Sequence, residues 1–337
     1  MAATLHLLVP GLLGPWPADL AVSHPAAPAL EWLLARADVA ETPVSMDAVL
    51  FQLFGVPIPA EADLPIAAVM ALVDGGNPDD GWWLRADPVH LRPDVQGVFL
   101  VDARVLAIEP VEAAALAAAF DQTFAADGLQ LHVPCPERWY LRLPDDPGLR
   151  TYPLLDAIGR DINPLLPYGP HSRRWHTLLT EAQMLFHGHP VNRARDESSQ
   201  PMINGLWLWG GGPLPIDAQA PAANLYANDL LTRGLARLAG VAVSPVPENA
   251  SDWRKASADD TDSLAVLDWA RYDRADGDPL AWMDHVVRLE RDWFEPCRRL
   301  LLTGQLAALH LYCGQNRRYS VTRAARWRFW RRSQPAV

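Results

Sequence analysis

The stretch His187–Gly212 reads HGHPVNRARDESSQPMINGLWLWGGG. Within it a helix ends at a His-Pro step, two arginines and an acidic turn follow, and an apolar strand runs into three glycines. Proline removes a backbone donor and a glycine run removes side chains, so both punctuate secondary structure. Upstream, Trp175–Phe186 places Leu178, Leu179, Ala182 and Leu185 on one helical face. Downstream, Leu206–Trp209 reads as a core strand, Leu225–Ala239 as a helix stopped by Gly240, and Val241–Val246 as the next strand.

The same alternation extends to both ends of the chain. Thr4–Val9 is a short apolar run of core-strand type. Helices are predicted over Ala29–Ala37, begun by Ser23 or His24, over Ser45–Phe54 and over Leu64–Val73. Toward the other end, Leu264–Trp269 and Leu306–Tyr312 read as strands around one long helix, Leu280–Arg299. Alternating strands and helices imply an α/β fold, a mostly parallel sheet with helices on both faces. Two turn-rich segments, Asp74–Gly81 and Pro144–Gly148, bracket a different pattern. Between them lie the strands Trp82–His90 and Gly97–Val101, the latter extendable through Leu106, then an Ala-rich helix Pro110–Ala126 and the strands Leu129–Val133 and Trp139–Leu143. This β-β-α-β-β order predicts a small α+β subdomain over 79–148, inserted into a discontinuous α/β domain made of 1–78 and 149–337.

Half of the 337 residues are hydrophobic, enough for a large core. A formal charge of −11 disfavours nucleic acid and anionic membranes as partners of the whole molecule. Cys135, Cys297 and Cys313 are far apart with no CxxC spacing, as expected of reduced thiols in a cytoplasmic protein. The apolar N-terminus lacks a basic leader, and no apolar run nears the ~20 residues of a spanning helix, so neither a signal peptide nor a membrane partner is expected. The tail, Arg317–Arg332, interleaves seven arginines with Trp327, Phe329 and Trp330. Such a pattern binds single-stranded nucleic acid. It equally makes an amphipathic end whose aromatics pack while the guanidiniums stay in water, and the acidic remainder of the chain favours that reading.

HPVNRAR followed by QPMINGLWLWGGG resembles the archaeal-type cofactor-independent phosphoglycerate mutases of the alkaline phosphatase superfamily. His189, Pro190, Val191, Asn192, Arg193 and Arg195 carry the first half of the likeness; Asn204, Trp207, Leu208, Trp209 and Gly210 carry the second. WWLRADPVHL (Trp82–Leu91) puts Arg85 at the place of a family arginine, Arg138 in PERWY falls near another, and Leu230–Pro247 looks like the family's next helix and strand. The chain is also similar to the RpfE-type regulatory proteins of proteobacteria, through WLRADPVHL, NGLWLWGGG, the LVPGLLGP start and the WRFWRR end. The first resemblance implies an alkaline-phosphatase-like sheet; the second implies a regulatory role.

A metal-dependent phosphomutase needs two divalent ions, an activated hydroxyl and cationic groups for the sugar phosphate. Where the family has a metal-binding Asp-Gly after its first strand, this chain has Val9-Pro10-Gly11. Where it has Asp-His after its last, this chain has Tyr312-Cys313-Gly314. The family's acidic loop appears as Asp273, Asp276 and Asp278 without its histidine, and Ser45 matches the nucleophile serine only loosely, sitting where a helix cap belongs. His171, His176, His187 and His189 lack the spacing of a metal motif. Gly210–Gly212 is a weak candidate for an anion cradle. Arg85, Arg138, Arg193 and Arg195, with Asn192, remain candidate ligand-binding residues, because guanidinium forks suit phosphate; the bland alternative is that they brace the fold. The expectation is therefore a non-catalytic regulatory protein with no cofactor, binding a phosphorylated metabolite or a protein partner. The first alternative is an active phosphomutase or phosphatase using Mn²⁺ or Zn²⁺ on a phosphoglycerate-like substrate. The second is a nucleic-acid-linked regulator acting through the tail.

Overall fold

A computed structural model describes residues 3–13, 25–78, 81–257, 261–328 and 330–331, with the side chains of 273–275 left undescribed. In chain order the strands are β1 (Ala3–Leu8), β2 (Asp38–Glu41), β3 (Trp82–Asp94), β4 (Gly97–Asp102), β5 (Gln130–Cys135), β6 (Arg138–Leu143), β7 (Gly205–Gly212), β8 (Asn224–Ala227), β9 (Ser263–Val266), β10 (Leu306–Tyr312) and β11 (Arg317–Thr322). The chain divides into two units, 1–57 with 217–337, and 58–216.

The first unit is α/β. Its sheet has the order β2-β11-β10-β1-β9-β8. The four strands β10, β1, β9 and β8 are parallel, and β11 and β2 complete one edge in antiparallel register. Leu5, Leu7 and Val9 alternate onto one face, where Leu309, Leu311 and Cys313 join them against Trp253, Trp282, Trp293 and Leu301. The predicted helix Leu280–Arg299 is interrupted. Pro279–Leu289 and Glu295–Thr303 are α-helical, with a π-helical turn at Glu290–Phe294 between them. Pro296 has no N–H for the helical ladder, which accounts for a break at that place. Val241–Val246 forms no strand; only a single bridge pairs Ser244 with Tyr226. The predicted helix 225–239 begins at Leu230, because Asp229 caps it and the preceding residues form β8. Ser23 and His24, read as a helix start, lie outside the described residues; the helix Pro28–Arg36 begins with a proline in its first turn.

The second unit is α+β and larger than the subdomain expected at 79–148. In its five-stranded antiparallel sheet β7 pairs along one edge of β3, while β6 and then β4 pair along the other. The strand expected in the parallel sheet, β7, therefore belongs here. So do the helices Ser172–His187 and Pro190–Glu197, since Trp175, Leu178, Ala182, Phe186 and Val191 share one core with Phe120, Trp139, Leu141 and Leu208. The stretch 102–106, expected to prolong β4, is a short helix, Ala103–Leu106. Opposite the main core, the sheet packs on the helix Ile66–Val73 through Trp83 and Tyr140.

Candidate functional site

Alternation along β3 and β6 brings Trp83, Arg85, Asp87, Arg138 and Tyr140 onto the sheet face covered by the helix Ile66–Val73. Asp74 ends that helix and receives both Nε and Nη2 of Arg138, at 2.5 and 2.7 Å, and the Tyr140 hydroxyl. Arg85 lies directly across from Tyr140 on one side and Trp209 on the other. Its guanidinium stacks 5.0 Å from the Tyr140 ring and 5.3 Å from the Trp209 ring, and it is ion-paired with Asp87. Asp87 also accepts Trp209 Nε1 at 2.7 Å, and Arg85 Nη1 points at Met70 Sδ. The two predicted arginines are thus brought together, each with its own carboxylate. Burial pushes the Asp74 carboxyl up, but the Arg138 and Tyr140 hydrogen bonds and the charges of Arg138 and Arg85 outweigh it, so its pKa is lowered. Tyr140 is driven the other way, first by burial and also by its bond to Asp74. Arg85 is 5 % exposed, and its Nε is buried without a partner. The cluster is charge-balanced; Arg85 and Asp87 are buried, while Arg138 reaches partly to the surface.

The HPVN-type motif is a brace. His189 caps the helix Pro190–Glu197, its Nδ1 accepting Val191 N–H, so the expected turn is a helix start. Asn192 is fully buried; its amide donates to the carbonyls of Phe186 and Ile203 and accepts Ile203 N–H, at 2.7–2.8 Å. Arg195, 2 % exposed, donates to the carbonyls of Pro201 and Leu106 and pairs with Glu112 at 2.6 Å. Glu112 in turn completes the capping box of the helix Pro110–Phe124. Asn192 and Arg195 are thus consumed by structure, correcting the ligand-binding expectation for both. Arg193 is exposed and donates to the Gly188 carbonyl. Gly210–Gly212 is no anion cradle either, being part of the buried strand β7.

In the first unit, the carboxyl ends of the parallel strands are where such folds place ligands. There Pro10 and Gly11 follow β1, Asp229 follows β8, Asp268 follows β9 and Cys313 follows β10. Gly11 has φ +83 and packs so tightly that a Cβ would sit 2.3 Å from the Ala270 carbonyl oxygen. Asp47, in the first turn of the helix Met46–Leu53, is buried and pairs with Arg271 at 2.8 Å. Asp229 Oδ1 accepts Thr232 N–H at 2.8 Å, and its Oδ2 is buried without a partner. Burial raises the pKa of both Asp229 and Asp268, and the charge of Asp268 adds to the rise at Asp229. Burial works against the Arg271 charge, yet Asp47 and, more weakly, Asp229 hold it protonated. Sequence reading missed Asp47, Asp229, Asp268 and Arg271; only the strand-end positions of the two later aspartates could have signalled them.

The donors for a divalent ion do not fit. Pro10 offers no ligand atom, and Cys313 is fully buried with its thiol pushed well up, away from the thiolate a metal takes. Ser45 Oγ accepts Ala48 N–H as a helix cap, and Asp278 Oδ1 caps the helix Pro279–Leu289 through Leu280 and Ala281. The Asp273 side chain lies outside the described residues, and Asp276 makes a contact of its own. Among the described residues no three His, Cys, Asp or Glu side chains converge on a possible ion position. The arginine-rich tail is drawn onto the fold: Arg328 donates to the Arg36 carbonyl and pairs with Asp38, and Arg331 donates to the Ala37 carbonyl. Trp327 is 63 % exposed, and Phe329 and Arg332 lie outside the described residues. No described helix is long and apolar enough to cross a membrane.

The fold and strand-end geometry define a mixed α/β protein with a mostly parallel sheet and a second, antiparallel unit. No family model matches the chain. It is 35 % identical over 98 residues to the 2,3-bisphosphoglycerate-independent phosphoglycerate mutase of Methanothrix thermoacetophila, a stretch covering 27 % of this chain and 25 % of that enzyme. The PH0037 protein from Pyrococcus horikoshii shares the fold, with a TM-score of 0.53 at 16 % identity over 92 % of this chain and 81 % of that one. The cofactor-independent phosphoglycerate mutase of Thermoplasma acidophilum superposes with a TM-score of 0.46 at 18 % identity, over 96 % and 90 % of the two chains. Through the 98-residue match the chain is distantly similar to a phosphoglycerate mutase.

Proposed function

We propose that this chain is a non-catalytic protein on a phosphoglycerate-mutase-like scaffold, acting by binding, in the regulatory role that its RpfE-type resemblance implies. One observation carries the reading. Arg271 stands at the carboxyl ends of the parallel strands, paired with Asp47 and within electrostatic reach of Asp229 and Asp268. A guanidinium fixed to the chain supplies there the positive charge that buried carboxylates otherwise take from a metal. Of the two expected ligands, a phosphorylated metabolite has the weaker support. Arg85 and Arg138 are already matched by Asp87 and Asp74, and a phosphate would have to displace them. Calorimetric titration of metal-free protein with Mn²⁺ and with Zn²⁺ tests the proposal. No tight stoichiometric uptake is expected. Tight binding of two ions per chain overturns it in favour of an active metal-dependent phosphomutase or phosphatase.

A further inference from the structure

The second unit contains a groove of about 260 Å³ that none of the chemistry above uses. The helix Ser172–His187 forms one wall. It buries one stripe, Trp175, Leu178, Ala182 and Phe186, in the core. The adjacent stripe His176, Leu179, Thr180 and Gln183, spaced i, i+3, i+4, i+7, lines the groove. Leu91 and Pro93 of β3 and Val98 of β4 face it, residues 205–208 of β7 contribute, and the loop through Ile162 and Pro167 closes it. The walls are tied together. The Pro167 carbonyl only accepts, so His176 Nε2 carries the proton and donates to it, at 2.7 Å. Trp207 Nε1 donates to the Tyr152 carbonyl at 2.9 Å, which anchors β7. A groove held by such bonds needs little ordering when a ligand enters.

The lining limits what fits. It contains no Asp, Glu, Lys or Arg. A charged ligand would lose its hydration there without a counter-charge, which is costly. The size sets the rest: a cavity of about 150 Å³ with apolar walls holds benzene, so about 260 Å³ suits roughly ten non-hydrogen atoms. Gln183 is exposed on the helix and offers an amide that donates and accepts. We propose that this groove binds an uncharged two-ring aromatic molecule bearing one hydroxyl or ring N–H, its rings against Leu91, Val98 and Leu179 and its polar group at Gln183. The proposal is independent of the reading of Arg271 and holds whether or not the chain is catalytic.

The test uses the full chain and 1-naphthol, followed by saturation-transfer NMR and calorimetry. A ligand of this size is expected to bind with a dissociation constant on the order of 0.1–1 mM. The charged analogue 1-naphthoate is expected to bind at least about tenfold more weakly than 1-naphthol and than its own uncharged isostere 1-naphthamide, which separates charge from size. Thr180 is exposed on the helix, so Thr180→Trp fills the groove without entering the core. It is expected to abolish 1-naphthol binding while leaving the thermal midpoint essentially unchanged. The proposal is overturned if naphthoate binds as well as naphthol, if neither shows saturable binding, or if a folded Thr180→Trp protein binds naphthol like the parent. Should that variant not fold, the naphthol–naphthoate comparison on the parent chain decides alone.

Discussion

His6 and His310 sit directly opposite one another on the parallel strands β1 and β10, their rings 4.8 Å apart. His6 Nδ1 is hydrogen-bonded to the Tyr312 hydroxyl and His310 Nδ1 to Ser320 Oγ. Burial first, then the neighbouring His310 and Arg318, push His6 from 6.5 down to about 4, with Asp262 opposing; burial and Arg318 lower His310 as well. The folded protein therefore binds fewer protons here than the unfolded chain. The stability contributed by His6 is present in full above its unfolded pKa of 6.5 and is lost as pH falls toward about 4. That interval corresponds to about 3 kcal/mol for an isolated group, and to less where His310 shares the effect. Urea unfolding at about pH 7 and about pH 4.5 should show a stability loss smaller by about 2 kcal/mol in His6→Gln than in the parent. An equal loss in both proteins would place the acid sensitivity elsewhere. Neither histidine stood out in the sequence, since each looks like any polar residue in an apolar strand until the register pairs them. Arg85 and Arg138 did stand out as cations. Their partners did not, because Asp74 looked like part of a turn, and Asp87 lies two residues from Arg85, a spacing that brings residues together only on a strand.

At the scale of elements, β7 shows why a glycine run misleads. A Cβ on Gly212 would lie 2.6 Å from Pro65 Cβ and 2.9 Å from Pro65 Cα, and one on Gly211 would lie 2.7 Å from Leu84 Cδ2. The glycines let a buried strand approach the start of the helix Ile66–Val73 and the side chains of β3. Gly212→Ala is therefore expected to destabilise by about 1–3 kcal/mol. Gly188→Ala provides the contrast. Gly188 ends the helix Ser172–His187 in a right-handed conformation, φ −78, with Met184 O 3.7 Å from a Cβ, so alanine there is expected to be neutral or stabilising by about 0.4–1 kcal/mol. Thermal unfolding of the two variants checks the pair; similar midpoints would mean that the contact with Pro65 relaxes freely. Locally a GGG reads as a loop, and only contacts distant in sequence distinguish it from a strand. Where one apolar face and local caps decide, the sequence was sufficient: Ser45 caps the helix Met46–Leu53, and Pro110 opens the helix Pro110–Phe124, as expected; the capping box of Glu109 and Glu112 is added by the structure. The assignment of β7 to the antiparallel sheet, by contrast, depends on pairing with β3 more than a hundred residues away, which periodicity does not encode.

For the whole molecule, the route of the chain has a physical consequence. It leaves the first unit after Pro57 and returns at Asp217. Gln219 N–H donates to the Phe54 carbonyl at 2.8 Å, so within the first unit the departing and returning strands of chain are already held together. An insertion whose ends are closed by its host imposes little loop entropy on either part. Each unit also has its own core: Trp253, Trp282 and Trp293 in the first, Trp139, Phe120 and Phe186 in the second. Residues 58–216 form one continuous segment, within the usual size of an independent domain. Produced alone, this segment is expected to fold, with the near-ultraviolet dichroism of packed aromatics and one cooperative unfolding transition in urea. It would retain every residue of the apolar groove and of the Arg85–Asp87 and Arg138–Asp74 pairs, while Arg271 and its carboxylates stay with the other part. A fragment with strand and helix content but no cooperative transition would show that the helix Ile66–Val73 and β7 need the first unit to pack. Naphthol binding by a cooperatively folded fragment would then locate that activity wholly in the inserted segment, apart from the strand ends where Arg271 and its carboxylates lie.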